Sequence, residues 1–202
     1  MSDRNQVVIT SLLLAIISLW LFGMAVEQPS FVEPYWFERE LAFSEIWRLI
    51  TTHALHLSWQ HVGWNAAALV FVTVLFAQHF TVRTYINGVL IITTLSSLFI
   101  YGFGRPESFG GWSVLIHGWL LFGLLIEWRR ANWSTRDYLI IIPLVLLLLK
   151  VGSEWLGWTF LEITPARELA IVHTAGLIAA LPAFYLHRRA LRQLALKDAP
   201  ES

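Results

Sequence analysis

The 202-residue sequence has no cysteine and little charge: Asp, Glu, Lys and Arg together make up 14%, against about 25% in ordinary soluble domains. Without cysteine there is no disulfide framework, and the redox compartment is not encoded. The 14 basic and 14 acidic residues cancel. That balance excludes a basic nucleic-acid-binding domain, so no nucleic-acid partner is expected. No low-complexity segment and no internal repeat occurs, which weighs against a transporter built from repeated halves. Apolar residues are what the chain has in excess, at 56%, with 11 Trp and 13 Phe. A soluble domain of this size could not hide so much apolar surface. The expectation is an all-α membrane protein with membrane lipid as its first partner.

A bilayer core about 30 Å thick takes roughly 20 apolar residues of helix. Uncharged runs of 20, 21, 19 and 19 residues lie at Val7–Val26, Thr84–Gly104, Ser108–Ile126 and Leu169–His187. Val62–His79 also carries no Asp, Glu, Lys or Arg, and Tyr138–Leu149 is a shorter run of 12 before Lys150. That shorter run is expected to extend toward Trp158, with Lys150 snorkelling at an interface. Six spans result, within one domain at 1–190 and a short polar cytoplasmic tail at 191–202. The first run is too long for a signal-peptide core and no good cleavage site follows, so it reads as a retained helix.

Placing the N-terminus inside puts nine basic and five acidic residues on the inner side, and five basic and nine acidic on the outer. The positive-inside rule then favours both termini in the cytoplasm. The loop 27–48 holds Pro29, Pro34, Tyr35, Trp36 and Phe37, an aromatic density suited to the headgroup region.

Polar groups at membrane depth are costly and are functional candidates by default. Three clusters stand out: His53, His56, His61 and Asn65; Gly110 to Gly118 around Ser113 and His117; and His173 with Gly176. Four-residue spacing puts His61 with Asn65, and Ser113 with His117, on shared helix faces. A serine at a helix start stands beside unpaired N–H groups that can hold an oxyanion. Ser113, His173 and the His61/Asn65 face thus supply a nucleophile, a base and oxyanion donors. Gly176 and Ala180 would let the helices approach closely. No Asp or Glu is expected at matching depth, so the reading is a Ser-His dyad. Competing readings are Ser113 as a packing residue, and a metal held by His53, His56 and His61. The spacing of those three puts them on no single face, so no metal and no cofactor are expected. Arg48, beside Trp47, reads best as an anchor for loop carbonyls.

Taken together these residues resemble the rhomboid intramembrane serine proteases. Trp47-Arg48 resembles the WR motif of the first outer loop, and His61 to Asn65 the HxxxN motif. Gly111-Trp112-Ser113-Val114 resembles the serine motif that opens the fourth core helix, and His173 the histidine of the sixth. The resemblance implies a six-transmembrane-helix rhomboid-like bundle, with Ser113 as nucleophile and His173 as base. It implies oxyanion donors from His61, Asn65 and the Ser113 N–H, support from Gly111, His117 and Gly176, and His117 packed on His173. It also makes the fifth span a lateral gate for transmembrane protein substrates. The short chain and His117-Gly118 look most like rhombosortases, which process C-terminal Gly-Gly sorting tails. A bacterial inner membrane and a periplasm-facing site follow from that likeness. Val114 replaces the family's second motif glycine and is expected to crowd the helix contact. This departure keeps open a catalytically inactive relative that escorts transmembrane clients.

Overall fold

The computed structural model describes residues 2–103, 105–132, 136–159 and 164–197, with side chains to 188. Among these residues eight α-helices follow one another: α1 (Asp3–Glu27), α2 (Pro29–Val32), α3 (Arg48–Thr51), α4 (Trp59–Phe76), α5 (Val82–Phe103), α6 (Ser113–Arg130), α7 (Tyr138–Trp155) and α8 (Ala166–Lys197). There is no strand among the described residues. Side-chain caps mark the starts of α4 and α7, among others: Ser58 Oγ accepts from His61 N at 3.0 Å, and Asp137 Oδ1 from Leu139 N at 3.2 Å. The first-turn N–H groups have no intrahelical partner, so these caps fix where α4 and α7 begin.

Among the described residues five helices are long and apolar enough to cross a membrane: Asp3–Glu27, Trp59–His79, Val82–Phe103, Tyr138–Trp155 and Ala166–Arg188. The expected span at Ser108–Ile126 is not among them. Its helix α6 starts later, at Ser113, and carries Glu127, Arg129 and Arg130 in its 18 residues. This helix is instead the centre of the bundle, packed on α8, α4, α5 and α7, with ten residues buried. α7 is its opposite, with only Ile140, Leu147, Val151 and Glu154 buried and Leu139, Leu146 and Leu149 exposed. Such apolar exposure is natural against lipid and untenable in water. The fifth run is thus a full 18-residue helix that ends at Trp155 and includes Lys150.

The expected tail begins as helix, since α8 continues through Lys197. Gly104, the last residue of the third run, lies outside the described residues, as do Phe160–Ile163 and Asp198–Ser202.

The segment between α1 and α4 is tied down by arginines and tryptophan. Arg48, 5% exposed, donates to the carbonyls of Trp36 at 2.7 Å and Glu33 at 3.0 Å, and pairs with Glu45 at 2.5 Å. Trp47 Nε1 donates to Pro34 O at 3.0 Å. Arg39 binds the carbonyls of Ile100 and Pro106 at 3.2 and 3.1 Å, clamping this segment to the end of α5.

Candidate functional site

Ser113 is the first residue of α6, reached through a turn that only glycine fits well. Gly111 has φ +108°, and a Cβ there would sit 2.9 Å from the His61 ring and 3.1 Å from Asn65 Nδ2. The serine turn therefore lies directly on the His61/Asn65 face of α4. Three bonds hold the turn in place. Gly111 N donates to Thr52 O at 3.3 Å, the Thr52 hydroxyl donates to Phe109 O, and Trp112 Nε1 donates to Ser18 Oγ of α1 at 2.6 Å.

α6 meets α8 backbone to backbone. A Cβ on Gly176 would lie 2.2 Å from Val114 O, and one on Gly118 would lie 2.6 Å from Gly176 O. Gly118 on α6 stands opposite Gly176 on α8 in this approach. Val114 meets α8 through its carbonyl, which lies against Gly176, and through its side chain as well. Its side chain is fully buried in an apolar cluster with Phe37, Leu49, Phe109, Val172 and Ala175.

This approach brings His117 and His173 face to face, with ring centroids 3.9 Å apart and planes 18° from parallel. His117 Nδ1 donates to the carbonyl of Ser113 at 2.6 Å, so His173 is connected through one stacked ring to the serine residue itself. His173 Nε2 and Asn65 Nδ2 are buried with no hydrogen-bond partner among the described residues. Nε2 therefore makes no bond to Ser113 here; catalytic bonds of this kind commonly tighten only when substrate is bound.

The other face of His173 overturns an expectation. Its Nδ1 lies 2.8 and 3.0 Å from the two carboxylate oxygens of Glu154. A carboxylate does stand at matching depth, buried at 4% exposure. Lys150 reaches the same ring: its Nζ lies 2.7 Å from His117 Nε2, 2.8 Å from His173 Nδ1 and 2.8 Å from Glu154. Four-residue spacing of Lys150 and Glu154 inside an apolar run was the available signal.

The three early histidines separate. His53 turns into the bundle and bonds Ser97 Oγ at 3.0 Å and Thr93 O at 3.2 Å. His56 and His61 meet edge to face at 5.0 Å. Burial lowers the pKa of His53 to about 4. Burial, reinforced by His61, lowers that of His56 to about 3. Among the described residues no group of three His, Asp or Glu side chains is placed to hold a metal.

Residues 44–189 match the sequence model of the Rhomboid domain family. No individual curated protein matches the chain. The matched stretch covers most of the chain and contains Trp47-Arg48, His61, Asn65, Ser113 and His173. With several membrane-spanning helices around these residues, the chain is an integral multi-pass membrane protein and belongs to the rhomboid family, whose members are typically intramembrane serine proteases acting on transmembrane substrates.

Proposed function

We propose that this protein is an intramembrane serine endopeptidase with Ser113 as nucleophile and His173 as general base. The observation that carries this reading is the chain from the Ser113 carbonyl through His117 to the stacked ring of His173. Nε2 of His173 takes the proton of Ser113 Oγ as Oγ adds to the scissile carbonyl. The oxyanion is held by the Ser113 N–H and the side chains of His61 and Asn65. The proton then passes to the leaving amine, and water resolves the acyl-enzyme by the same route.

In this reading α6 is a sixth crossing, shielded by protein rather than by apolar composition. Both termini are cytoplasmic, and the site faces the periplasm of a bacterial inner membrane, as the distribution of charge favours. The thinly packed α7 is the side through which a single-span substrate enters. The His117-Gly118 pair favours a rhombosortase-like enzyme whose substrates carry C-terminal Gly-Gly sorting tails. A helical substrate must unwind to expose its bond, and glycine makes that easier.

The test is to incubate the reconstituted protein with single-span substrates bearing such tails and to sequence the new termini. One discrete cut is expected, absent in Ser113→Ala and His173→Ala. The same cut made by Ser113→Ala would overturn the reading. The unmade Ser113–His173 bond favours a second reading, an inactive relative that escorts transmembrane clients. Stable capture of uncut substrate by the wild type would support that reading instead.

A further inference from the structure

α7 carries two ionisable side chains that the serine chemistry leaves unused, Lys150 and Glu154. Both reach one atom, Nδ1 of His173: Lys150 Nζ at 2.8 Å and Glu154 Oε2 at 2.8 Å. A neutral imidazole carries a single N–H. If the proton is on Nδ1, that nitrogen donates to Glu154 and has no lone pair for an ammonium. If Nδ1 is bare, it accepts from Lys150 and the proton sits on Nε2.

The neighbouring ring has no such choice. His117 Nδ1 faces the Ser113 carbonyl, which only accepts, so this nitrogen donates and Nε2 is bare. That bare Nε2 accepts from Lys150 at 2.7 Å. The ammonium gives a second hydrogen to Glu154 Oε1 at 2.8 Å. Its remaining hydrogen is the one available to His173.

Only one tautomer of His173 can relieve serine of its proton: the one with Nε2 bare and Nδ1 protonated. We infer that Glu154 and Lys150 are opposed positioning residues for His173, the carboxylate holding the ring in its basic tautomer and the ammonium in the blocked one. This inference rests on the serine-protease reading of Ser113 and His173. The two residues also act oppositely on the imidazolium formed during attack, which Glu154 stabilises and Lys150 repels.

Exposure decides which partner is permanent. The Glu154 side chain is 5% exposed and the Lys150 side chain 33%. An enclosed carboxylate stays in place, whereas a flexible ammonium at the edge of the cluster can swing outward. The site is therefore restrained while Lys150 points in and released when it leaves.

The test is the ¹⁵N spectrum of histidine-labelled protein in lipid nanodiscs, with His173 assigned by loss of its signals in His173→Ala. The spectrum shows directly which ring nitrogen is protonated. Lys150→Met should move the His173 population toward Nδ1–H. It should also raise the rate of fluorophosphonate labelling about two- to tenfold, in proportion to the rings released. Glu154→Gln should move the proton to Nε2 and slow labelling roughly 10²- to 10⁴-fold, the upper figure being the loss seen when a base is held in the wrong tautomer. Glu154→Asp keeps the carboxylate and should recover part of the rate. An unchanged ring proton and rate in Lys150→Met, or a wild-type rate in Glu154→Gln, would overturn the inference. A wild type that never labels would sink the protease reading, while the spectra would still test the competition at Nδ1.

Discussion

Two histidine–carboxylate pairs lie toward opposite ends of α6. At the Ser113 end, His173 meets Glu154 with both side chains 5% exposed. At the other end, His79 Nε2 meets Glu127 Oε1 at 2.5 Å, and the Glu127 side chain is 30% exposed. The pairing chemistry is the same and the surroundings differ. Glu127 shares its charge with Gln78 and Arg130 beside water. Glu154 shares its with Lys150 and a ring stacked on a second ring. The first arrangement fastens the turn after α4 to the end of α6 through a buried histidine, 6% exposed, and a partly exposed carboxylate. The second encloses a histidine whose Nδ1 is reached by both a carboxylate and an ammonium. Enclosure, more than the presence of a His–carboxylate pair, separates a site from a fastening.

The comparison breaks most visibly if the two carboxylates are neutralised in parallel. Glu154→Gln should slow fluorophosphonate labelling of Ser113 by roughly 10²- to 10⁴-fold, with Glu127→Gln labelling at the wild-type rate. Similar losses in both would mean that these pairs differ only in position. Gly118→Ala comes next. Its Cβ would press on the Gly176 carbonyl at 2.6 Å and on Ile92 at 2.8 Å, forcing α6 and α8 apart. A misplacement of about 1 Å costs roughly 10²-fold in rate, and the overpacking about 1–3 kcal/mol in stability. Asn65→Ala removes one oxyanion donor among several and should cost on the order of 10²-fold in cleavage, with the melting temperature little changed.

Smaller effects sharpen the contrast from the stability side. His53 and His56, with pKa values lowered by burial to about 4 and about 3, are neutral when folded. The unfolded chain takes up protons below about pH 6.5, so stability falls as pH drops through that value and on toward the folded pKa values. At pH 5 the loss is about 2 kcal/mol for each histidine. Thermal unfolding at pH 7 and pH 5 reads this directly, and equal midpoints would contradict it. Glu127→Gln should be smallest, costing less than about 1 kcal/mol in the same scan.

Much of the fold was legible because the bilayer imposes a length on each apolar run. Val7–Val26, Thr84–Gly104 and Leu169–His187 all fall largely within helices that can cross a membrane. Lys150 was harder to place: the run was extended past it toward Trp158, but its charge was read as interfacial, whereas its ammonium meets His117, His173 and Glu154. Glu154 escaped for a related reason. As one of the acidic residues assigned outside it belonged to the charge balance, and only the packing of α7 on α8 shows that it faces His173. That Ser113, His61, Asn65 and His173 belong to one candidate site was argued from motif and spacing, because polar groups at membrane depth are rare and costly. Gly118 was not legible, since the value of a glycine depends on which backbone lies opposite. How Val114 is accommodated was not legible either, since sequence does not show that its carbonyl lies against Gly176 while its side chain packs with Val172 and Ala175.

The most direct measurement needs no knowledge of the substrate. The purified protein, folded in lipid, is treated with a fluorophosphonate probe, and the modified residue is mapped by mass spectrometry. A single adduct on Ser113 is expected, lost in Ser113→Ala and in His173→Ala. Well-folded wild type that takes up no probe, or takes it up at another residue while Ser113 stays free, would contradict the catalytic assignment.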